Sequence, residues 1–281
     1  TLPLHADRPT FHSETAGACD SIAAAGGGSA MDGAKAIKLM VSHPGSIEDY
    51  DERVGGFERI GAAPMPALVT LPTTAGTGSE VGRSTVIIHP TSQEKMVIFH
   101  PTLMPDLAIV DPELMRSMPA QITAATGMDA LTHNIESFLA KGYHPMCDGI
   151  ALEGVRLCAK SLRRAVLDGD DLEARANMSA ASLMGAVAFQ KGLGVTHSLA
   201  HPLSTLAGLH HGLANALMLP DSMAFIEAAD LTDAQQSRIQ TLRTLFTEAN
   251  RSGDSLADET DRKSTRLNSS HALISYAVFC L

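Results

Sequence analysis

The chain has 281 residues, 44% of them hydrophobic, and a formal net charge of −10 at pH 7. That is enough apolar material for two domains of ordinary size, and no apolar run is long enough to span a bilayer. The acidic balance argues against nucleic acid and anionic membrane surfaces as partners. Cys19, Cys147 and Cys158 show no CxxC spacing and read as reduced, packed thiols of a cytoplasmic protein.

In chain order, the stretch Leu4 to Thr10 reads as a loop. Residues 21–25, all small or apolar after Ser21, predict a short buried strand. Gly26, Gly27, Gly28 and Ser29 follow at once. Residues 30–40 then have helical spacing, with Met31, Ala34, Ile37 and Leu39 facing inward. Strand, glycine turn and helix present backbone N–H groups and a helix N-terminus to phosphate. The absence of Cβ atoms lets the backbone approach a pyrophosphate closely. The turn is neither GxGxxG nor a Walker A sequence, so a plain glycine-rich turn fits equally well.

A second strand, 67–71, leads into Pro72 to Glu80, a loop dense in hydroxyls and glycines. Such a loop can wrap a nucleotide, or it can be a solvated turn whose hydroxyls cap themselves. Further strands are predicted at 84–89 and 107–110. Beyond residue 113 strands vanish, and helical patterns run through 121–140, 148–167, 171–191, 193–207, 211–219 and 232–249. The predicted class is α/β with a mainly parallel sheet, followed by an all-α half.

The chemistry-bearing residues fall in the helical half. Asp129 and His133 are four apart, as are His197 and His201, and His211 follows in His210-His211-Gly212. On a helix that spacing puts both side chains on one face. One carboxylate and several imidazoles suit a divalent first-row ion such as Fe(II) or Zn(II). Such pairs are also common by chance and then face solvent. Leu131, Ile135, Phe138 and Leu139 form a stripe that a core role explains. His43, His89, His100 and His144 are expected to face solvent, and His210 and Asn134 to point away from the ligand face.

Taken together, seven segments resemble the iron-containing (group III) alcohol dehydrogenase family. They are GGGSAMDGAKAI at 26–37, LPTTAGTGSEV at 71–81, PDLAIVDPEL at 105–114, ATGMDALTHNIESF at 125–138, HPMCDGIALEG at 144–154, AFQKGLGVTHSLAHPL at 188–203 and HHGLANALMLP at 210–220. They occur in the family's order over residues 18–250. The resemblance implies that Asp129, His133, His197 and His211 hold the metal, Fe(II) or alternatively Zn(II). It implies that His201 positions substrate or relays its proton. Gly27, Gly28 and Ser29 match the pyrophosphate turn, with Asp32 on the helix that follows. Thr73, Thr74 and Thr77 match nucleotide contacts. Lys95 and Leu114 fall where the family touches ribose and ring, although a surface lysine and a core leucine would read the same way.

The implied reaction is reversible hydride transfer between a primary alcohol or diol, activated as alkoxide on the metal, and NAD or NADP. Partners are then the small alcohol or aldehyde and, as in other family members, further copies of the chain in a homo-oligomer. Three rival readings share the same residues: a dehydroquinate synthase-type lyase, a hydroxyacid–oxoacid transhydrogenase, and an inactive fragment.

The last stretch, 261–281, reads as translated sequencing adapter, with Ala272-Leu273 at the index position. Asp261 against Arg262, Lys263 and Arg266 gives this tail +2 and leaves −12 for the rest. Cys280 belongs to it. Both ends therefore read as incomplete. The expected organisation is a partial dinucleotide-binding domain at 1–112, a partial all-helical metal-binding domain at 113–260 and a non-native tail at 261–281. The catalytic cleft is expected between the two domains.

Overall fold

The structure, a computed structural model, describes residues 20–89, 92 and 94–248. The readings of Leu4 to Thr10, Cys19 and 261–281 fall outside the described residues. The chain forms two units, one comprising Thr1–Thr73 and Ser79–Asp111, the other Thr74–Gly78 and Pro112–Leu281. The short segment 74–78 thus belongs with the helical half.

In the first unit, β1 (Ser21–Gly26), β2 (Ala67–Pro72) and β5 (Leu107–Ala108) pair in parallel in the order β1-β2-β5. Ser21 stands opposite Ala67 and Val69 opposite Leu107. Among the described residues β1 stands at the edge of this sheet, and Ala24 is its one buried residue, where the sequence predicts a wholly buried strand. The final strand is shorter than predicted. Ile109 N–H still bonds the Thr70 carbonyl, after which Pro112 opens a 3-10 turn. The sequence reading also missed β4 (Lys95–Phe99), which pairs antiparallel with β3 (Ser84–Ile88) as a separate hairpin. Residues 96–99 of β4 are apolar throughout and show no alternation to read.

Helix α1 (Gly28–Ser42) covers the sheet. Met31 and Ala34 pack with Ala24 and Leu68, and Leu39 packs with Tyr50, Ile60, Ile98 and Leu103. Ile37 is only half-buried, whereas Lys35 and Lys38 are buried. Both lysines lay their stems along the apolar face and find oxygens at its far side. Lys35 Nζ donates to the Ser79 carbonyl at 2.7 Å, to Ser79 Oγ at 2.8 Å and to the Ser84 carbonyl at 2.8 Å. Burial pulls its pKa down to about 8, against the opposing charges of Asp32 and Glu80. Three acceptors match the three N–H groups of an ammonium, so Lys35 is charged at neutral pH. His43, expected at the surface, is buried. Its Nδ1 meets the Leu39 carbonyl, and its Nε2 accepts from Gly61 N–H at 3.1 Å.

The second unit is built around α2 (Ala120–Leu139), in which every residue from Thr123 to Phe138 is buried. A helix buried on all sides needs neighbours all round, and α3 (Pro145–Leu167), α4 (Leu172–Ala188) and α6 (His211–Glu227) supply them. The core between them includes Met128, Leu131, Ile135, Val155 and Leu162. Asn134 does face away from the ligand pair, but into this core. Its Nδ2 donates to the carbonyls of Ala130 at 2.8 Å and Ala181 at 2.9 Å, joining α2 to α4. Gly154 and Gly185 make room for it. Buried Arg175 donates to Thr123 Oγ1 at 2.8 Å and to the Met118 and Gly169 carbonyls, fixing the approach to α2. Cys147 and Cys158 are buried thiols that form no disulfide, as read. No helix among the described residues is long and apolar enough to cross a membrane.

Replacing Lys35 by Met keeps the volume but removes the donor that three oxygens share. The first unit is expected to lose ~2–4 kcal/mol, read as a lower urea midpoint. An unchanged midpoint would show that the lysine's bonds add nothing to the fold.

Candidate metal centre and nucleotide turn

Three helices bring the candidate ligands together. Asp129 and His133 lie one turn apart on α2, His197 lies in α5 (Val195–Leu206), and His211 opens α6. A side chain at Gly212 would run into the Ala125 carbonyl, so a residue without Cβ lets the start of α6 come up against α2. Asp129 Oδ1 lies 3.8 Å from His133 Nε2, 3.6 Å from His197 Nε2 and 3.6 Å from His211 Nε2. Asp129, His197 and His211 each offer one ligand atom, all within 4.8 Å of one another. His133 joins them through Asp129 and stacks on the His197 ring, centroids 4.7 Å apart. Ligand atoms at the corners of a tetrahedron around a first-row ion sit about 3.4 Å apart. Asp129, His197 and His211 therefore fit such an ion in both chemistry and spacing, whereas His133 stands outside this mutually close group and adjoins it at Asp129. The side chains of Asp129, His133 and His197 are at most 7% exposed, and that of His211 is 27% exposed, so the cluster opens on the His211 side.

Electrostatics follow from one carboxylate among three rings. Burial alone would raise the Asp129 pKa, but His133, His211 and His197 outweigh it and hold the carboxyl well below its usual range. Burial, reinforced by His197 and opposed by Asp129, pulls His133 down to about 4. His197 goes the other way. Burial disfavours its cation, yet Asp129 and Glu136 overcome that and push it up to about 9. In the metal-free chain a proton on His197 balances the two carboxylates.

Two residues of this cluster were not singled out from the sequence. Asn215 Nδ2 donates to Asp129 Oδ1 at 2.8 Å and lies 3.2 Å from His197 Nε2 and 3.4 Å from His211 Nε2. Glu136 meets His197 Nδ1 at 2.6 Å. Helical spacing could have found both. Asn215 follows His211 by four, and Glu136 follows His133 by three, on the faces that carry the ligands. His201 sits one turn beyond His197, exposed, with its ring 5.2 Å from that of His211 and 6.1 Å from that of His197.

The glycine turn belongs to the first unit. Gly27 is the N-cap of α1, no side chain closes that helix end, and Gly28 and Ser29 form its first turn. Gly26 has φ +149°, and a side chain there would strike Ala30. Thr73 N–H donates to the Gly26 carbonyl at 2.8 Å, tying the end of β2 to the turn. Asp32 faces the protein: Oδ1 accepts from Ser79 Oγ at 2.7 Å and Oδ2 from Val86 N–H at 3.2 Å. Thr74 and Thr77 are half-buried in the segment that joins the helical unit. There Gly76 packs on Thr126, and Gly78, at φ +60°, fits against Ala186 and the Ser182 carbonyl. Gly76 backbone also lies against the His133 ring. Lys95 opens β4, opposite Ile88. Leu114 is 40% exposed, so its neighbour Met115 takes the core place instead.

A parallel sheet with an uncapped glycine turn, together with an all-helical unit, defines a Rossmann-like α/β plus all-α protein, and the one carboxylate and three imidazoles gathered in the helical unit are of the kinds that bind a first-row ion. The family description "Iron-containing alcohol dehydrogenase" matches residues 12–112, and "Fe-containing alcohol dehydrogenase family, C-terminal" matches residues 123–274. The chain belongs to the iron-containing alcohol dehydrogenase family. The second match overlaps the start of the segment read as adapter. A 4-hydroxybutyrate dehydrogenase of Cupriavidus necator is 47% identical over 212 residues, 74% of this chain and 55% of that protein. A 1,3-propanediol dehydrogenase of Klebsiella pneumoniae is 40% identical over 234 residues, 81% of this chain and 59% of that protein. The crystal structure of sulfoacetaldehyde reductase from Bifidobacterium kashiwanohense in complex with NAD+ matches with a TM-score of 0.78 at 35% identity, covering 90% of this chain and 64% of that one. The chain thus spans little more than half the length of these curated relatives.

A raised folded pKa contributes stability that is complete below the unfolded value and lost as pH rises through the folded one. For His197 the window runs from about 6.5 to about 9. Chelator-treated protein is therefore expected to lose stability across that window, and His197→Gln to abolish the loss. Parallel urea midpoints for both proteins would disprove the His197 assignment.

Proposed function

We propose that this chain carries the metal and cofactor residues of an NAD(P)-dependent alcohol dehydrogenase that interconverts a short primary alcohol or diol and its aldehyde. The observation that carries this reading is the convergence of His133, His197 and His211 Nε2 on Asp129 Oδ1 at 3.6–3.8 Å. The named relatives act on a 4-hydroxy acid and a 1,3-diol, and the matched structure is an aldehyde reductase with NAD+. Their substrates share a terminal CH2OH or CHO group on a short chain.

In this proposal Asp129, His133, His197 and His211 hold a divalent cation, iron or zinc. Gly27, Gly28 and Ser29 receive the cofactor's pyrophosphate on the open end of α1. Thr73, Thr74 and Thr77 line the nucleotide, with Lys95 and Leu114 nearer its ribose and ring. Asp32 serves this site from behind, by holding Ser79. When bound, the cation supplies Lewis acidity to a substrate oxygen and the nicotinamide accepts or donates hydride. Buried Asp129, His133 and His197 keep water from one side, while the His211 side admits substrate. A ring nitrogen of exposed His201 takes the hydroxyl proton towards solvent. Placement in the cytoplasm and assembly with further copies of the chain belong to the same proposal.

The test loads the protein anaerobically with Fe(II) or Zn(II), as this chain and as a form extended to its relatives' length. NAD(P)H absorbance is followed with ethanol, 1,3-propanediol and 4-hydroxybutyrate. Metal-dependent reduction is expected, with one metal per chain. His197→Ala should abolish both metal and turnover. His201→Ala should keep the metal and lower kcat by about 10²–10⁴-fold. Full activity in His201→Ala would remove the relay, and one bound metal without any turnover in the extended form would remove the dehydrogenase reading.

A further inference from the structure

Glu136 is a buried carboxylate for which the proposed chemistry has no use, and its bonds run to one ligand and the backbone beside it. Oε1 accepts from Thr196 N–H at 2.6 Å, and Oε2 accepts from His197 N–H at 3.3 Å. Oε2 also lies 2.6 Å from His197 Nδ1. Gly194 N–H adds a further bond, and a side chain on Gly194 would collide with Oε1. Helix α5 has no capping side chain of its own, so a residue of α2 closes its first turn. The same carboxylate therefore fixes the backbone of α5 and the ring of the histidine that α5 carries.

We propose that Glu136 is the positioning residue for His197, accepting its Nδ1 proton and so reserving Nε2 for the metal. The inference rests on the metal reading above. Neutral imidazole has one N–H and one lone pair, so the partner of Nδ1 decides which nitrogen can ligate. A carboxylate only accepts. With Oε2 on Nδ1, a proton is held there, and Nε2, 3.6 Å from Asp129 Oδ1, is the nitrogen left to ligate once its own proton has gone.

Glutamine at 136 has the same shape but cannot do both tasks. With its carbonyl towards Thr196 N–H, its NH2 meets Nδ1 and drives the proton to Nε2, which then cannot ligate. With its carbonyl towards Nδ1, its NH2 opposes Thr196 N–H. A residue that merely capped α5 would, when changed, shift the melt and leave metal affinity alone.

The experiment titrates Zn(II) against a competing chelator in the parent chain and in Glu136→Gln. Expected is a 10–100-fold loss of affinity in the variant. In parallel, ¹⁵N NMR of the zinc-loaded parent should show His197 protonated at Nδ1 and bound through Nε2. This second readout decides the matter even if the variant does not fold. Parental affinity in Glu136→Gln, or a proton on Nε2 of zinc-loaded His197, would overturn the inference. A parent chain that binds no zinc would instead overturn the metal reading on which it rests.

Discussion

The second unit is organised around one buried charge. Asp129 sits in a helix with no solvent-facing side over sixteen consecutive residues, Thr123 to Phe138. A lone carboxylate there would be protonated or expelled, because burial disfavours its ion strongly. What keeps it ionised is the set of imidazoles and the Asn215 amide converging on Oδ1. That requirement reaches outward. His211 arrives only because Gly212 lets α6 against Ala125, and His197 only because α5 starts where Glu136 can hold it. Removing the charge would relieve the need for each of these contacts.

The segment 74–78 shows how the chain serves both units. It leaves β2 just after Thr73 has bonded the Gly26 carbonyl, then packs into the helical unit through Ala75, Gly76 and Gly78. Gly76 lies against Thr126 and the His133 ring. The loop's glycines are therefore explained by close packing on helices, whatever its threonines touch.

Much of this was legible in the sequence, and the failures share a cause. That Asp129, His133, His197 and His211 gather was readable, because helical spacing and residue chemistry coincide at these positions. The architecture was readable because the apolar period changes from strand to helix near residue 113. The burial of Lys35 and Lys38 was not read, and His43 was misplaced at the surface, because a polar head says nothing about where its stem or second ring atom goes. Asn134 does point away from the ligand face, but its bond to the Ala181 carbonyl depends on a helix packed from elsewhere in the chain, which spacing along one helix does not show. β4 was missed because Met96, Val97, Ile98 and Phe99 are apolar in succession and show no alternation. Glu136 and Asn215 were not legible as part of the cluster because neither is a usual metal-binding residue type in this setting, although each lies on the helical face of a candidate ligand.

The uneven burial of the ligands bears on how long a metal would stay. Three of the four side chains are locked in the core, and His211 stands at the first residue of α6 with more than a quarter of its side chain exposed. Helix ends open far more often than helix interiors. Exchange of the ion would then follow fraying of one turn, not unfolding of the unit. The centre can be thermodynamically tight and kinetically labile at once, with its lifetime set by whatever rests on the start of that helix.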